Sequence, residues 1–87
     1  MTAYRPGPGI AVEQHDAAVY VARLPDGPIV VLEGTAALIW VEACSSEPGS
    51  IADRVREHVD RDTHEIADAV ALFIEDLVAE GLLREGV

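Results

Sequence analysis

The segment from Gly27 to Trp40, GPIVVLEGTAALIW, constrains the fold of this chain more than any other. Its first part, Pro28 to Leu32, is uncharged and rich in β-branched residues, a composition typical of a strand. Only Glu33 and Gly34 separate this run from a segment whose apolar residues recur with the period of a helix. The chain must therefore place an apolar strand directly before a largely apolar helix, which raises the question of what the strand pairs with.

Two more strands are predicted before this one. IAVEQ at 10–14 and AAVYVARL at 17–24 are rich in strand-forming residues and flank a His-Asp turn. The PDGP segment then leads into IVVLE at 29–33, and its Asp-Gly pair suits the positive φ of a tight turn. Short turns between consecutive strands predict an antiparallel meander. Residues 1–9, rich in proline and glycine, are expected to form a flexible lead-in to a folded domain at 10–87.

Two helices are predicted after the strands. The first is apolar nearly all round, takes Thr35 as its N-cap and ends before Pro48, which a helix interior does not tolerate. Ser50 is expected to cap the second helix, with Arg54 in solvent. The apolar stripe of the second helix is expected at Ile51, Val55 and Val59.

A third and longest helix is predicted from a cap at Asp62 or Thr63 to about Glu80, with Gly81 as its C-terminal stop. The two leucines that follow Gly81 are expected to pack back on the core. The core stripe of the third helix is expected at Ile66, Val70, Phe73 and Leu77. Three strands followed by three helices, in the order βββααα, make an α+β fold.

The acidic balance of the chain limits its function. Asp and Glu number 16 against six Lys and Arg, which gives a net charge of −10. Because nucleic-acid affinity comes mostly from neutralising phosphates, this charge argues against a nucleic-acid partner and favours a basic one. The same balance would also serve to keep a small protein in solution. The chain has neither an apolar run of ~18 residues nor a secretory signal, so we expect a cytoplasmic location and no membrane partner.

The residues give no positive argument for an enzyme, a metal or a cofactor. Cys44, the only cysteine, is expected to be a small buried hydrophobe, since no candidate base lies near it in sequence. Four residues span the junction of the last two helices without a recognised ligand spacing, and surface or capping roles are expected for them. They are His58, Asp60, Asp62 and His64.

The third strand of a meander is paired on one side only, so its other edge carries free N–H and C=O groups from Ile29 to Glu33. Either the third helix or the C-terminal leucines cover this edge, or another chain adds a strand to it. An apolar and acidic flank on the third helix would form the second wall of a groove beside this edge. The pattern favours a module that binds an extended peptide with an apolar anchor and a basic residue. The flank comprises Ala69, Leu72, Asp76 and Glu80.

Three segments, LEGTAALIW at 32–40, SIADRV at 50–55 and ADAVALFIEDLVAEGLL at 67–83, resemble the PqqD family, and the likeness covers about residues 10–84. The Thr-Ala-Ala-x-Ile-Trp element is the most specific of them. The resemblance implies a small winged-helix-like domain that catalyses nothing. It would bind the leader region of a ribosomally made precursor peptide as an extra strand on the third strand, beside the third helix. Carried over by position, the peptide-binding residues are Ile29, Val30, Val31, Leu32, Glu33, Ala69, Leu72, Phe73, Asp76 and Glu80.

The free-standing form of the domain most resembles the recognition proteins of lasso-peptide pathways. This resemblance implies two protein partners, a leader peptidase of the cysteine-protease type and an ATP-dependent, macrolactam-forming cyclase, and no cofactor. Two alternatives stay open, a PqqD-like chaperone of another peptide-modification pathway and a module that dimerises through the edge strand. A winged-helix DNA binder fits the charge least.

Overall fold

The computed structural model describes residues 3–45, 50–57 and 63–86 of the 87-residue chain. Three antiparallel strands are followed by three helices, which confirms the predicted α+β fold, and a separate two-stranded ribbon is added to them. The strands are β1 (Ala3–Pro6), β2 (Ile10–His15), β3 (Ala18–Arg23), β4 (Ile29–Glu33) and β5 (Leu83–Gly86). The helices are α1 (Thr35–Ala43), α2 (Ile51–Arg56) and α3 (Thr63–Ala79).

The three-stranded sheet has the order β2-β3-β4. Val19 of β3 lies opposite Leu32 of β4. The side chains of Val19, Val21 and Leu32 are all buried. These side chains belong to the hydrophobic core that the sheet shares with the helices. Ile29 and Val31 lie on the opposite face of the sheet because side chains alternate along a strand.

The ribbon of β1 and β5 was not predicted from the sequence. Residues 3–6 pair antiparallel with residues 83–86, and the Gly7 N–H donates a hydrogen bond of 3.0 Å to the Leu82 carbonyl. The proline-rich segment thus contributes a strand to the structure. Leu82 and Leu83 are 5% and 1% exposed, which confirms that they pack on the core.

Gly34 makes the abrupt change from strand to helix. It has φ 60° and ψ −130°, a backbone conformation that is essentially restricted to glycine. Gly34 is the N-cap of α1, and Thr35 is already the first helical residue, so the prediction of Thr35 as N-cap was wrong by one position. The positive φ turns the chain within a single residue, and α1 packs directly beneath β4 with Ile39 and Trp40 buried.

The core stripe of α3 was predicted correctly at Ile66, Val70 and Leu77, but Phe73 is only half-buried. Ile74, 7% exposed, takes its place in the stripe. One member of the stripe therefore differs from the prediction by one position, on the flank of α3 where Ile74 and Tyr4 of the ribbon line the same cavity. Gly81, with φ 78°, ends the C-terminal turn after α3 as expected, while the predicted cap Asp62 lies outside the described residues.

The short helix α2 is fixed by a cap and an ion pair. The Ser50 hydroxyl accepts a hydrogen bond of 3.1 Å from the Asp53 N–H, which confirms the predicted cap. The prediction that Arg54 is solvated was wrong. Its guanidinium donates to the Glu42 carboxylate at 2.8 Å and to the Glu42 carbonyl at 2.9 Å. Arg54 is drawn inward because a carboxylate and a helix C-terminus together offer it charge-assisted bonds.

The apolar stripe of α2 agrees with its prediction as far as it is described. Val55 is fully buried and Ile51 is half-buried, and both pack in or against the core. The third predicted member, Val59, lies outside the described residues.

Replacing Gly34 by alanine should destabilise the fold through backbone strain alone. No atom lies within 4 Å of the position that a Cβ would take, so a steric clash does not contribute. We expect the G34A variant to lose about 1–3 kcal/mol of unfolding free energy in urea titration. Glu33→Ala, at the exposed preceding residue, serves as control. Equal midpoints for the two variants would contradict the strain assigned to Gly34.

Removing the Arg54 guanidinium should also lower stability, because the Glu42 carboxylate, 15% exposed, would lose its partner. We expect Arg54→Met to lower the unfolding free energy by about 1–3 kcal/mol, the range for a hydrogen bond to a charged group. The matched control is Arg56→Met, on the same helix but exposed. If both variants unfold at the same urea concentration, the ion pair does not hold α2 to α1.

Candidate functional site

One edge of β4 is the central feature of the candidate site. Among the described strands, β4 is bonded to β3 and to no other strand. The C-terminal leucines do not cover its second edge, because β5 pairs with β1. The main chain of the third helix does not approach it closely either, since over the described ranges no Cα of α3 lies within 8 Å of a Cα of β4. The sequence raised two possibilities, that the chain covers this edge itself or that another chain adds a strand to it. The arrangement of β5 and α3 favours the second.

A hydrogen bond and a small cavity mark the two ends of the space between β4 and α3. At the start of β4, the Arg23 guanidinium donates to the main-chain carbonyl of Glu80, just after α3. At the end of β4, Thr35 and Ala69 line one small cavity together with Glu65. Strand and helix therefore run in opposite directions along a cleft that a hydrogen bond bridges at one end and a small cavity borders at the other. We call this cleft the β4–α3 groove, with walls formed by 29–33 and by the flank of α3 defined next.

The groove flank of α3 consists of five residues, and it faces away from the ribbon. On the opposite flank, Ile74 and Val78 lie beside Tyr4. Leu72 is 63% exposed, a large value for a leucine, and Phe73 is half-buried against the core. The groove flank is Ala69, Leu72, Phe73, Asp76 and Glu80, all exposed except Phe73.

The side chains of the predicted strand wall do not all face the groove. Leu32 is 6% exposed, so it offers its main chain while its side chain stays in the core. Val30 is half-buried on the same face, next to the groove. Ile29 and Val31, 67% and 46% exposed, are directed to the outer face of the sheet rather than toward the helices. Glu33 is exposed at the end of the strand.

The helix wall of the groove combines acidic and apolar side chains. Two carboxylates, Asp76 and Glu80, stand on the helix wall and are exposed, whereas Glu33 lies on the outer face of the sheet with Val31. The Arg23 guanidinium, at one end, is occupied by a main-chain carbonyl. Leu72 and Phe73 supply the apolar surface between these charges. Such a surface suits an extended segment with an apolar side chain and a basic one.

Cys44 and a set of possible metal ligands are the other candidate functional residues raised by the sequence. Burial raises the pKa of the half-buried Cys44 thiol, so the thiol stays protonated at neutral pH. Across 3–45, 50–57 and 63–86, no three His, Cys, Asp or Glu side chains come together as a metal site. The sequence cluster of His58, Asp60, Asp62 and His64 lies outside the side chains that are described.

The described helices are also unsuited to crossing a membrane. Each of them is too short, or insufficiently apolar, to span a bilayer.

Arg23, Thr35 and Glu65, at the two ends of the groove, were missed by the sequence analysis. Arg23 lies at the end of β3, before the turn that leads into β4, so its position in the sequence did place it near the groove. Its partner is a main-chain carbonyl, which has no sequence signature. Thr35 and Glu65 come together only through the packing of α1 against α3.

A comparison with known protein families identifies the family of this chain. The family described as coenzyme PQQ synthesis protein D (PqqD) matches residues 11–83, which include β3, β4, all three helices and all of β2 except its first residue. The chain therefore belongs to the PqqD family. This is a family of recognition elements for ribosomally synthesised and modified peptides, whose members bind precursor peptides and are non-catalytic. Neither the comparison with curated proteins nor that with solved structures gave a match.

Proposed function

We propose that this protein binds the leader region of a precursor peptide by strand addition to β4, in the β4–α3 groove, and catalyses no reaction itself. The observation that carries this proposal is the edge of β4, which no described strand pairs and from which α3 stands away. Membership of the PqqD family supports a precursor peptide as the guest. A cytoplasmic location is part of the proposal, because precursor peptides are made by the ribosome.

Main-chain hydrogen bonds would supply the first part of the affinity. A guest strand would lie about 4.8 Å from β4 and exchange N–H and C=O bonds with alternate residues of 29–33. These bonds do not depend on guest sequence, so they would fix the register and the extended conformation of the leader. The five residues of β4 limit the added strand to a short segment.

Side chains of the guest would supply specificity. Alternate guest residues would point toward α3, where Leu72 and Phe73 can receive an apolar anchor. A Lys or Arg next to this anchor would meet Asp76 and Glu80. The net charge of −10 would also accelerate the approach of a basic leader at low ionic strength.

The pathway we propose is lasso-peptide biosynthesis, on the basis of the resemblance to its free-standing recognition proteins. The bound leader would be presented to a cysteine-type leader peptidase and an ATP-dependent cyclase. Holding the precursor beside these enzymes raises its local concentration without adding any chemistry. Another peptide-modification pathway would use the same groove with different enzymes.

Titration with a labelled leader peptide from the precursor encoded beside this gene tests the groove. We expect a Kd of about 1 μM or lower, equivalent to about −8 kcal/mol or better. Leu72→Asp should weaken binding at least tenfold, because it places a charge on the apolar part of the helix wall. The control is Ala71→Asp, which introduces the same residue on the ribbon flank of α3. Equal affinities for these two variants would exclude the proposed helix wall.

Two proline variants test the strand wall separately. Successive N–H groups of a strand point to opposite edges, so of Val30 and Val31 one donates toward β3 and the other toward the free edge. Proline removes that donor. One of Val30→Pro and Val31→Pro should therefore lose thermal stability, while the other stays folded and binds the leader at least tenfold more weakly. If every variant that stays folded binds like the parent protein, strand addition is excluded.

A further inference from the structure

Arg23 joins the three-stranded sheet to the end of α3. Over the described ranges, no Cα of α3 lies within 8 Å of a Cα of β2, β3 or β4, so the main chains of helix and sheet stand apart. The Arg23 guanidinium crosses this space and donates to the Glu80 carbonyl, in the turn that follows α3. Within the described residues, no other hydrogen bond joins the sheet to α3 or to that turn.

The place of Arg23 in β3 explains this reach. Val19, Val21 and Arg23 alternate onto the face of the sheet that packs on the helices, and the two valines are buried. Arg23 ends the strand and is exposed, so its long side chain can extend past the edge of the core toward α3. The guanidinium lies against the turn itself, since a Cβ at Gly81 would be 3.4 Å from Arg23 Nη2.

The turn after α3 is also bonded to the ribbon. The Gly7 N–H donates to the Leu82 carbonyl at 3.0 Å, and β5 continues from the turn into its pairing with β1. The helix, the turn and the ribbon therefore form one hydrogen-bonded unit. This unit connects to the sheet through a turn at 7–10, where the Ile10 N–H donates to the Gly7 carbonyl at 3.2 Å. That connection is at β2, the strand of the sheet farthest from β4.

The Arg23–Glu80 bond lies where the spacing of the groove walls is decided. Ile29, the first residue of the strand wall, is opposite Ala22, the neighbour of Arg23, and Glu80 is the last residue of the helix wall. A hydrogen bond fixes a distance and a direction, whereas apolar contacts are non-directional. Without this bond, the unit of helix and ribbon could pivot about the 7–10 turn and change the width of the groove.

We propose that Arg23 is a positioning residue of the β4–α3 groove, which holds the end of α3 at the spacing that an added strand requires. The proposal rests on the proposed function, since it takes a strand on β4 as the guest. A groove that already has its bound spacing loses less conformational freedom when the peptide binds. Loss of the bond would lower the fraction of molecules with that spacing, and the apparent affinity would fall in proportion. This fall belongs to association, because the bound peptide keeps its contacts.

Stopped-flow binding of the labelled leader peptide tests the proposal with Arg23→Met. We expect an association rate constant about tenfold lower and a dissociation rate constant within about twofold of the parent value. Loss of a cation alone would instead speed the approach of a basic leader. The charge-matched control is Arg84→Met, at an exposed residue that lies opposite Arg5 in the ribbon. It should leave both rate constants within about twofold of the parent values.

Two further variants separate the bond from other effects of the substitution. Arg23→Lys keeps a cation and an N–H donor, so it should return at least about half of the parent association rate constant. Arg23→Gln, which is too short to reach the carbonyl, replaces Arg23→Met should the methionine disturb folding. Association unchanged in Arg23→Met, or a lysine variant no faster than the methionine one, would overturn the proposal. So would a loss confined to faster dissociation, because Arg23 would then contact the guest.

Amide hydrogen exchange of the protein without peptide tests the hold on the turn independently of the leader. The N–H groups of Glu80, Gly81 and Leu82 all donate to carbonyls of α3. Their exchange should be about tenfold faster in Arg23→Met and unchanged in Arg84→Met. Equal rates in the parent and Arg23→Met would overturn the positioning role. Failure of the leader to bind the parent protein is a separate result, which overturns the proposed function.

Discussion

Hydrogen bonding along β4 is one-sided within the described part of the chain, and the candidate function depends on this constraint. Main-chain N–H and C=O groups must be paired or hydrated, and a free sheet edge is a template for another strand. The C-terminal strand β5 pairs with β1 and not with β4. No Cα of the described part of α3 lies within 8 Å of a Cα of β4, and the Arg23–Glu80 hydrogen bond bridges one end of the groove. Neither β5 nor α3 therefore pairs with the free edge of β4.

The elements around β4 explain why this segment is so apolar. Gly34 lets α1 start immediately after the strand, so Leu32 is buried against the helices. Ile29 and Val31 are not part of that core and form the outer face with Tyr20. One face of the strand therefore serves the fold, the other face is exposed, and the second edge is not paired by any described strand. The net charge of −10 favours the approach of basic partners.

The sequence predicted local elements well and contacts between distant segments poorly. The three strands of the sheet, the Ser50 cap and the buried leucines after α3 follow from period and turn chemistry, which act over a few residues. The pairing of β1 with β5 joins the two ends of the chain and has no local signature. The error at Arg54 has the same origin, because its side chain is held by Glu42, on another helix. The free edge was predicted, whereas Arg23 at the end of the groove was not.

Amide hydrogen exchange of β4, followed residue by residue by NMR, tests strand addition most directly. Without peptide, amides of 29–33 that point toward β3 should exchange slowly and those that point to the free edge quickly. With saturating leader peptide, the fast amides should become protected as well, since the guest strand would accept their hydrogen bonds. If the peptide binds and these amides still exchange at their original rates, the leader is not held as a strand on β4.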